Sequence, residues 1–123
     1  MDRRRQSEIK HAQRESFLLR EISQYFIQIA QDEPRLSTLY IEQAKLSVDG
    51  SRCTFYFYSA KGKPEFEALL PLLILYKPSM RASLAKTASG KYVPQLVFAY
   101  AEHVDQQRKV NDIIENLKKE GKL

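Results

Sequence analysis

Apolar residues recur at helical spacing through the first quarter of the chain. Leu18, Ile22, Tyr25, Phe26 and Ile29 form one stripe, widened by Phe17 and Leu19, and predict an amphipathic helix from about Glu8 to Ala30. Lys10 and Arg14 stand one turn apart on its polar side. Asp32-Glu33-Pro34 ends it, because the residue before a proline avoids helical geometry. The period then switches to alternation. Leu39 and Ile41 alternate with Tyr40 and Glu42, after which the apolar phase shifts to Ala44, Leu46 and Val48. That pattern predicts a strand from about Leu39 to Val48 with a bulge inside it. Asp49-Gly50 is a turn signal. A second strand follows from about Arg52 to Ser59, with Cys53, Phe55 and Phe57 on one face and Thr54, Tyr56 and Tyr58 on the other.

Lys61-Gly62-Lys63-Pro64 is the next break. Pro64 suits the first turn of a helix reaching about Tyr76, with Glu65 and Glu67 near its positive end and Pro71 expected to kink or split it. Lys77-Pro78-Ser79 breaks the chain again. Ser79 is placed to cap a short helix from Met80 to about Ala88, and Gly90 to end it. Gln95 to Tyr100 reads as a third strand after Pro94. A last helix, about Val104 to Lys119, has Val110, Ile113, Ile114 and Leu117 as its expected buried stripe. The order α-β-β-α-α-β-α predicts an α+β two-layer sandwich, with helices on one face of a three-stranded sheet. One domain over residues 1–123 is expected, with a basic tail over about 1–7 and a C-terminal tail over about 120–123.

Composition agrees with one core. The chain has 123 residues, 43% hydrophobic and 28% charged, a globular balance. No apolar run approaches the roughly 20 residues a spanning helix needs, and no secretory signal is recognisable. Cys53 is the single cysteine, which excludes an internal disulfide and fits a reducing compartment, so a cytoplasmic location is expected. Lys plus Arg number 20 against 15 acids, a net charge of +5 that favours polyanionic partners.

Charge therefore directs attention to the basic clusters. Lys77 and Arg81 are one turn apart at the central break, followed by Lys86 and Lys91. Around a helix N-terminus near Ser79 they form a phosphate site; as a solvated polar face they form none. Arg3-Arg4-Arg5, continued by Lys10 and Arg14, is a second tract, either a phosphate contact or a frayed soluble end. Tyr40, Tyr56 and Tyr58 share the outer sheet face, as a stacking platform for bases or simply as good strand residues. The run Leu69 to Leu75 is apolar nearly all round and reads as core, the alternative being contact with another protein.

Catalytic signals are lacking. His11 and His103 lie on different helices and suit solvated or capping roles better than a metal site. Cys53, on an apolar strand face, suits core packing rather than nucleophilic chemistry. No Gly-x-Ser-x-Gly elbow and no Gly-rich phosphate loop is present. A non-enzymatic protein without metal, cofactor or small-molecule substrate is expected.

Four stretches, in order, resemble the ribosome-binding factor A family. They are Glu33-Pro34-Arg35-Leu36 before the first strand, Val48-Asp49 through Phe55-Tyr56, Met80 to Lys86, and Val93-Pro94-Gln95-Leu96-Val97-Phe98. The chain departs from the family at its central break, where Tyr76-Lys77-Pro78 stands in place of an Ala-x-Gly kink, and at Ala101, where an acidic residue is usual. Ala88-Ser89-Gly90 spells the kink motif one helix late and reads as a C-cap. The resemblance implies a type II KH fold. It also implies a protein that binds the small ribosomal subunit and its rRNA and assists late subunit maturation, notably in the cold; a monomer is expected. In KH domains nucleic acid passes the central helix–helix junction, which implies RNA contacts from Lys77, Arg81, Lys86 and Lys91. Two other readings stay open: a general KH-like RNA-binding or translation-regulating protein, and a protein–protein adaptor.

Overall fold

The N-terminal stripe builds the longest element. In the computed structural model, which describes residues 3–87 and 92–121, helix α1 spans Arg3–Asp32 and buries Leu18, Ile22, Phe26 and Ile29. The basic tail expected over residues 1–7 is thus helical from Arg3 onward. Arg, Gln and Glu are good helix formers, and Arg4 stands 3.6 Å from Glu8 one turn along. A short 3-10 helix, Pro34–Thr38, follows and drives Leu36 into the core. The chain's first proline sits at its start, which suits its fixed φ.

Three strands follow as expected: β1 over Leu39–Leu46, β2 over Arg52–Ser59 and β3 over Gln95–Tyr100. They lie in the order β1-β2-β3, with β1 antiparallel and β3 parallel to β2. The register slips between Ile41 and Gln43, leaving Glu42 as the bulged residue that the phase shift predicted. β1 stops at Leu46, two residues short of expectation, and Val48 is fully exposed. Asp49 explains the stop. Its Oδ1 accepts from the Ser51 amide and from the hydroxyls of Ser47 and Ser51, closing a turn that Gly50 completes at φ +74°.

Helices α2, Lys63–Ile74, and α3, Lys77–Thr87, are separated only by Leu75 and Tyr76. Pro71 stays inside α2 without splitting it. Glu67, whose carbonyl loses a partner there, lies on the exposed side where water can replace it. α3 begins earlier than expected. The Met80 amide donates to the Tyr76 carbonyl, so Ser79 lies inside the first turn and does not cap it. Pro78 takes an early helical position, where a missing amide costs nothing. The run Leu69 to Leu75 is only partly core: Leu73 is buried, whereas Ile74 and Leu75 face solvent.

The core lies between the sheet and α1, α2 and α3. Phe57 sits at its centre, with ring centroids of Phe98, Phe26 and Phe66 at 5.3, 5.4 and 5.9 Å. Cys53 is buried among these elements, and burial, with the Glu15 carboxylate as a lesser cause, pushes its thiol up to about 12. A thiol so protonated is a packing residue.

The last helix, α4, spans Glu102–Lys119 and ends on Gly121 at φ +74°. Its stripe of Val110, Ile113, Ile114 and Leu117, expected in the core, contains no buried residue. Only the start of α4 touches the sheet, and it does so on the outer face. The result is the expected α+β two-layer sandwich in the order α-β-β-α-α-β-α, with the helix and strand succession of a type II KH fold.

Candidate nucleic-acid interface

Sequence placed the cationic side chains in two tracts. Packing of α1 against α3 merges parts of both. Lys77, Arg81, Ala82 and Ala85 on α3 face Val93, Gln95 and Leu96 across an open groove of about 680 Å³. Lys77 Nζ lies 5.1 Å from the centroid of the Phe98 ring. Arg81 Nη2 donates to the Val93 carbonyl at 3.4 Å, a long bond that leaves the guanidinium largely solvated. Arg14, from the other tract, donates through Nη2 to the Tyr92 carbonyl at 2.6 Å. Two arginines thus converge on adjacent peptide units, and Tyr92, 65% exposed, stands beside them.

Arg14 belongs to a wider clamp between α1 and the β1–β2 turn. His11 Nε2 lies 3.0 Å from the Ser47 carbonyl oxygen, and the Leu46 amide donates to Glu15 Oε2 at 2.9 Å. His11 is therefore a tether, neither solvated nor a helix cap.

Other expected contacts fall elsewhere. Lys86 comes five residues after Arg81, about 140° round α3, and does not line the groove. Lys91 lies outside the described residues, as does the expected C-cap at Ala88-Ser89-Gly90. Lys10 lies one turn before Arg14 on α1, whereas Arg4 is about 80° and Arg5 about 180° round the helix from Arg14, so Arg5 faces the opposite side. The helix N-terminus expected near Ser79 lies instead at Tyr76 and Lys77, and Pro78 contributes no amide donor there.

The tyrosine platform is largely closed. Tyr58 is buried beneath Arg108, whose guanidinium donates to its hydroxyl and lies 5.6 Å over its ring. Tyr58 also stacks on Tyr100 at 6.2 Å. His103 stands edge-on to Tyr56 at 6.2 Å, so only Tyr40 of the three is open. Sequence reasoning missed Tyr92 and Arg52. Arg52 pairs with Gln95 in the parallel ladder and adjoins the groove through it. Nothing in the sequence reveals that register. Among the described residues no group of three or more His, Cys, Asp and Glu side chains is disposed to hold a metal. None of the described helices is long and apolar enough to cross a membrane.

The family model for ribosome-binding factor A matches residues 10–114 of this chain. The chain belongs to that family. The crystal structure of ribosome-binding factor A from Thermus thermophilus is similar, with 30% identity and a TM-score of 0.61 over 73% of this chain and 94% of that one. A second similar structure is a homology model of the Thermus thermophilus factor fitted into a cryo-electron microscopy map of its complex with the 30S subunit. It shows 28% identity and a TM-score of 0.57 over 70% of this chain and 89% of that one. No curated protein matches the chain.

Two family-like stretches have structural explanations here. In Glu33-Pro34-Arg35-Leu36, the Arg35 side chain bonds both Glu33 carboxylate oxygens, at 2.8 and 3.0 Å, while Leu36 fills the core. That fork lowers the Glu33 carboxyl below its usual range and raises Arg35. Val93 to Phe98 forms the groove wall and β3, with Pro94 buried ahead of the strand. The central break of this ribosome-binding factor A homologue is made without glycine, by Leu75 and Tyr76.

Proposed function

We propose that this protein binds the small ribosomal subunit through its rRNA and assists late subunit maturation, without chemistry of its own. The observation that carries this reading is the convergence of Arg14 and Arg81 on the Tyr92 and Val93 carbonyls, beside Lys77 and an exposed tyrosine. Cations around an open groove neutralise phosphates, and Tyr92 offers a flat face to an unpaired base. Ala82 and Ala85 keep the groove floor low, so a sugar-phosphate backbone can approach α3 closely. Lys10 extends the positive surface along α1, one turn from Arg14. Family membership and the 30S complex of the Thermus relative support the choice of partner. The mechanism is electrostatic docking that favours one conformation of the subunit RNA, in the cytoplasm and with no cofactor.

Co-sedimentation tests it. The full chain is expected to travel with free small subunits at low salt, to leave them at high salt, and to associate poorly with full ribosomes. K77E/R81E should abolish the low-salt association. Retained binding by that variant, or binding indifferent to salt and to ribonuclease, contradicts the reading and favours a protein adaptor.

A further inference from the structure

Arg108 fixes which side of α4 faces the sheet, because its guanidinium lies on Tyr58. At about 100° per residue, Val110 and Leu117 are about 160° and 180° round the helix from Arg108. The stripe they form with Ile113 and Ile114 therefore points away from the body, and Ile113 is 58% exposed. An aliphatic seam this long on a helix that buries nothing is an unmet contact.

A second apolar surface is also open. At the free edge of the sheet, a groove of about 440 Å³ runs between the C-terminal half of α1 and the start of β1. Phe26, Ala30, Leu39 and Ile41 line it, and Ile27, 60% exposed, and Tyr40 form its rim.

Charge matches the two surfaces. Lys109 and Lys118 flank the α4 stripe on opposite sides, about 100° from Val110 and Leu117 respectively. Between Glu21 and Glu33 no basic residue occurs on α1, and Asp32 and Glu42 stand exposed on the two elements forming the groove. Among the described residues no salt bridge engages Asp32, Glu42, Lys109 or Lys118. RNA and anionic membranes are poorer occupants for the stripe. α4 carries four acids and four bases, so it is neutral in a chain of net charge +5.

We propose that two copies of this chain associate by each laying its α4 stripe into the α1/β1 groove of the other. This is helix-in-groove docking, and reciprocity closes it into a two-fold dimer, in place of the single copy expected from sequence. The groove holding Lys77 and Arg81 lies at the β3 edge and stays open, so the association is independent of the RNA-binding reading.

Sedimentation equilibrium of the full chain, from ~1 to ~500 μM, tests it. The expected mass approaches twice the 14.3 kDa of one chain at the upper end. Ile113→Glu and Ile27→Glu both replace exposed side chains, so each variant should keep its circular dichroism spectrum while remaining at 14.3 kDa throughout. Mixing the two should restore a dimer, since one intact stripe then meets one intact groove. Three results overturn the proposal: a wild-type chain that stays monomeric, an Ile27→Glu variant that dimerises like the wild type because stripe pairs with stripe, or a mixture that fails to associate.

Discussion

Arg14 and Arg81 donate to the carbonyls of two consecutive residues, Tyr92 at 2.6 Å and Val93 at 3.4 Å. The two bonds differ in kind. Arg14 is half-buried, and its short bond ties α1 to the segment entering β3. Arg81 is exposed and weakly held, so most of its donors remain for a phosphate. Arg81→Ala should therefore weaken binding to small-subunit RNA about tenfold at low salt and reduce the slope of log affinity against log salt by about one, with the urea midpoint unchanged. Arg14→Ala should lower the urea midpoint as well. Filter binding across a salt series, paired with urea melts, separates the two roles.

Gly50 links the β1–β2 turn to the same arginine. It adopts φ +74°, and a Cβ there would stand 2.9 Å from Arg14 Nη1. Gly50→Ala is expected to cost about 1–2 kcal/mol from left-handed backbone strain. It should also push the Arg14 fork off Tyr92 and lower RNA affinity. Gly121, at the same φ but with open space around it, is the control. Gly121→Ala should leave affinity intact.

Asp49 makes the turn sensitive to acid. The Ser51 amide, followed by the Ser47 and Ser51 hydroxyls, holds its carboxyl down to about 2, against an ordinary 3.8. A lowered folded value means that its contribution is present above about pH 4 and disappears as pH falls towards 2. Thermal melts between pH 5 and pH 2 should show the wild type losing stability faster than Asp49→Ala. The alanine variant is less stable at pH 5, and the two curves should converge near pH 2. Parallel curves would remove Asp49 from the acid response.

The limits of sequence reading follow from what each signal encodes. Pro94 marks the start of β3, and the phase shift after Ile41 locates the bulge, because strand faces are a local property. The caps were less legible. Ser79 has the right chemistry for an N-cap, but Pro78 is a better early helical residue, so α3 starts before it. Helical period in α4 shows that one face is apolar without showing what covers it, and Val110 and Ile113 turn out uncovered. The convergence of Arg14 with Arg81 depends on α1 packing against α3, and the place of Arg52 on a parallel register. No short-range pattern carries either.

Phe57 concentrates the core. Three aromatic rings meet it within 6 Å of its centroid, from α1, α2 and β3, so its removal opens a cavity shared by three elements. Phe57→Ala should cost roughly 3–5 kcal/mol, a large share of the 5–15 kcal/mol typical of a domain. Phe57→Leu should cost less because it refills part of the volume. Urea unfolding of both variants checks the order, and equal loss in the two would place the effect elsewhere.

The last prediction concerns how α4 is held. Lys63 Nζ lies 2.6 Å from the Glu102 carboxylate, an exposed pair that orients the helix start and contributes little stability. Arg108 does more, because it meets Tyr58 twice, donating to the hydroxyl and covering the ring. Tyr58→Phe removes the acceptor and keeps the ring; Arg108→Ala removes both contacts. Amide exchange in the first two turns of α4 should therefore quicken modestly in Tyr58→Phe and more in Arg108→Ala, while β1 and β2 keep their protection. A helix held mainly by its terminal ion pair would reverse that ranking, with Lys63→Ala loosening α4 more than Arg108→Ala.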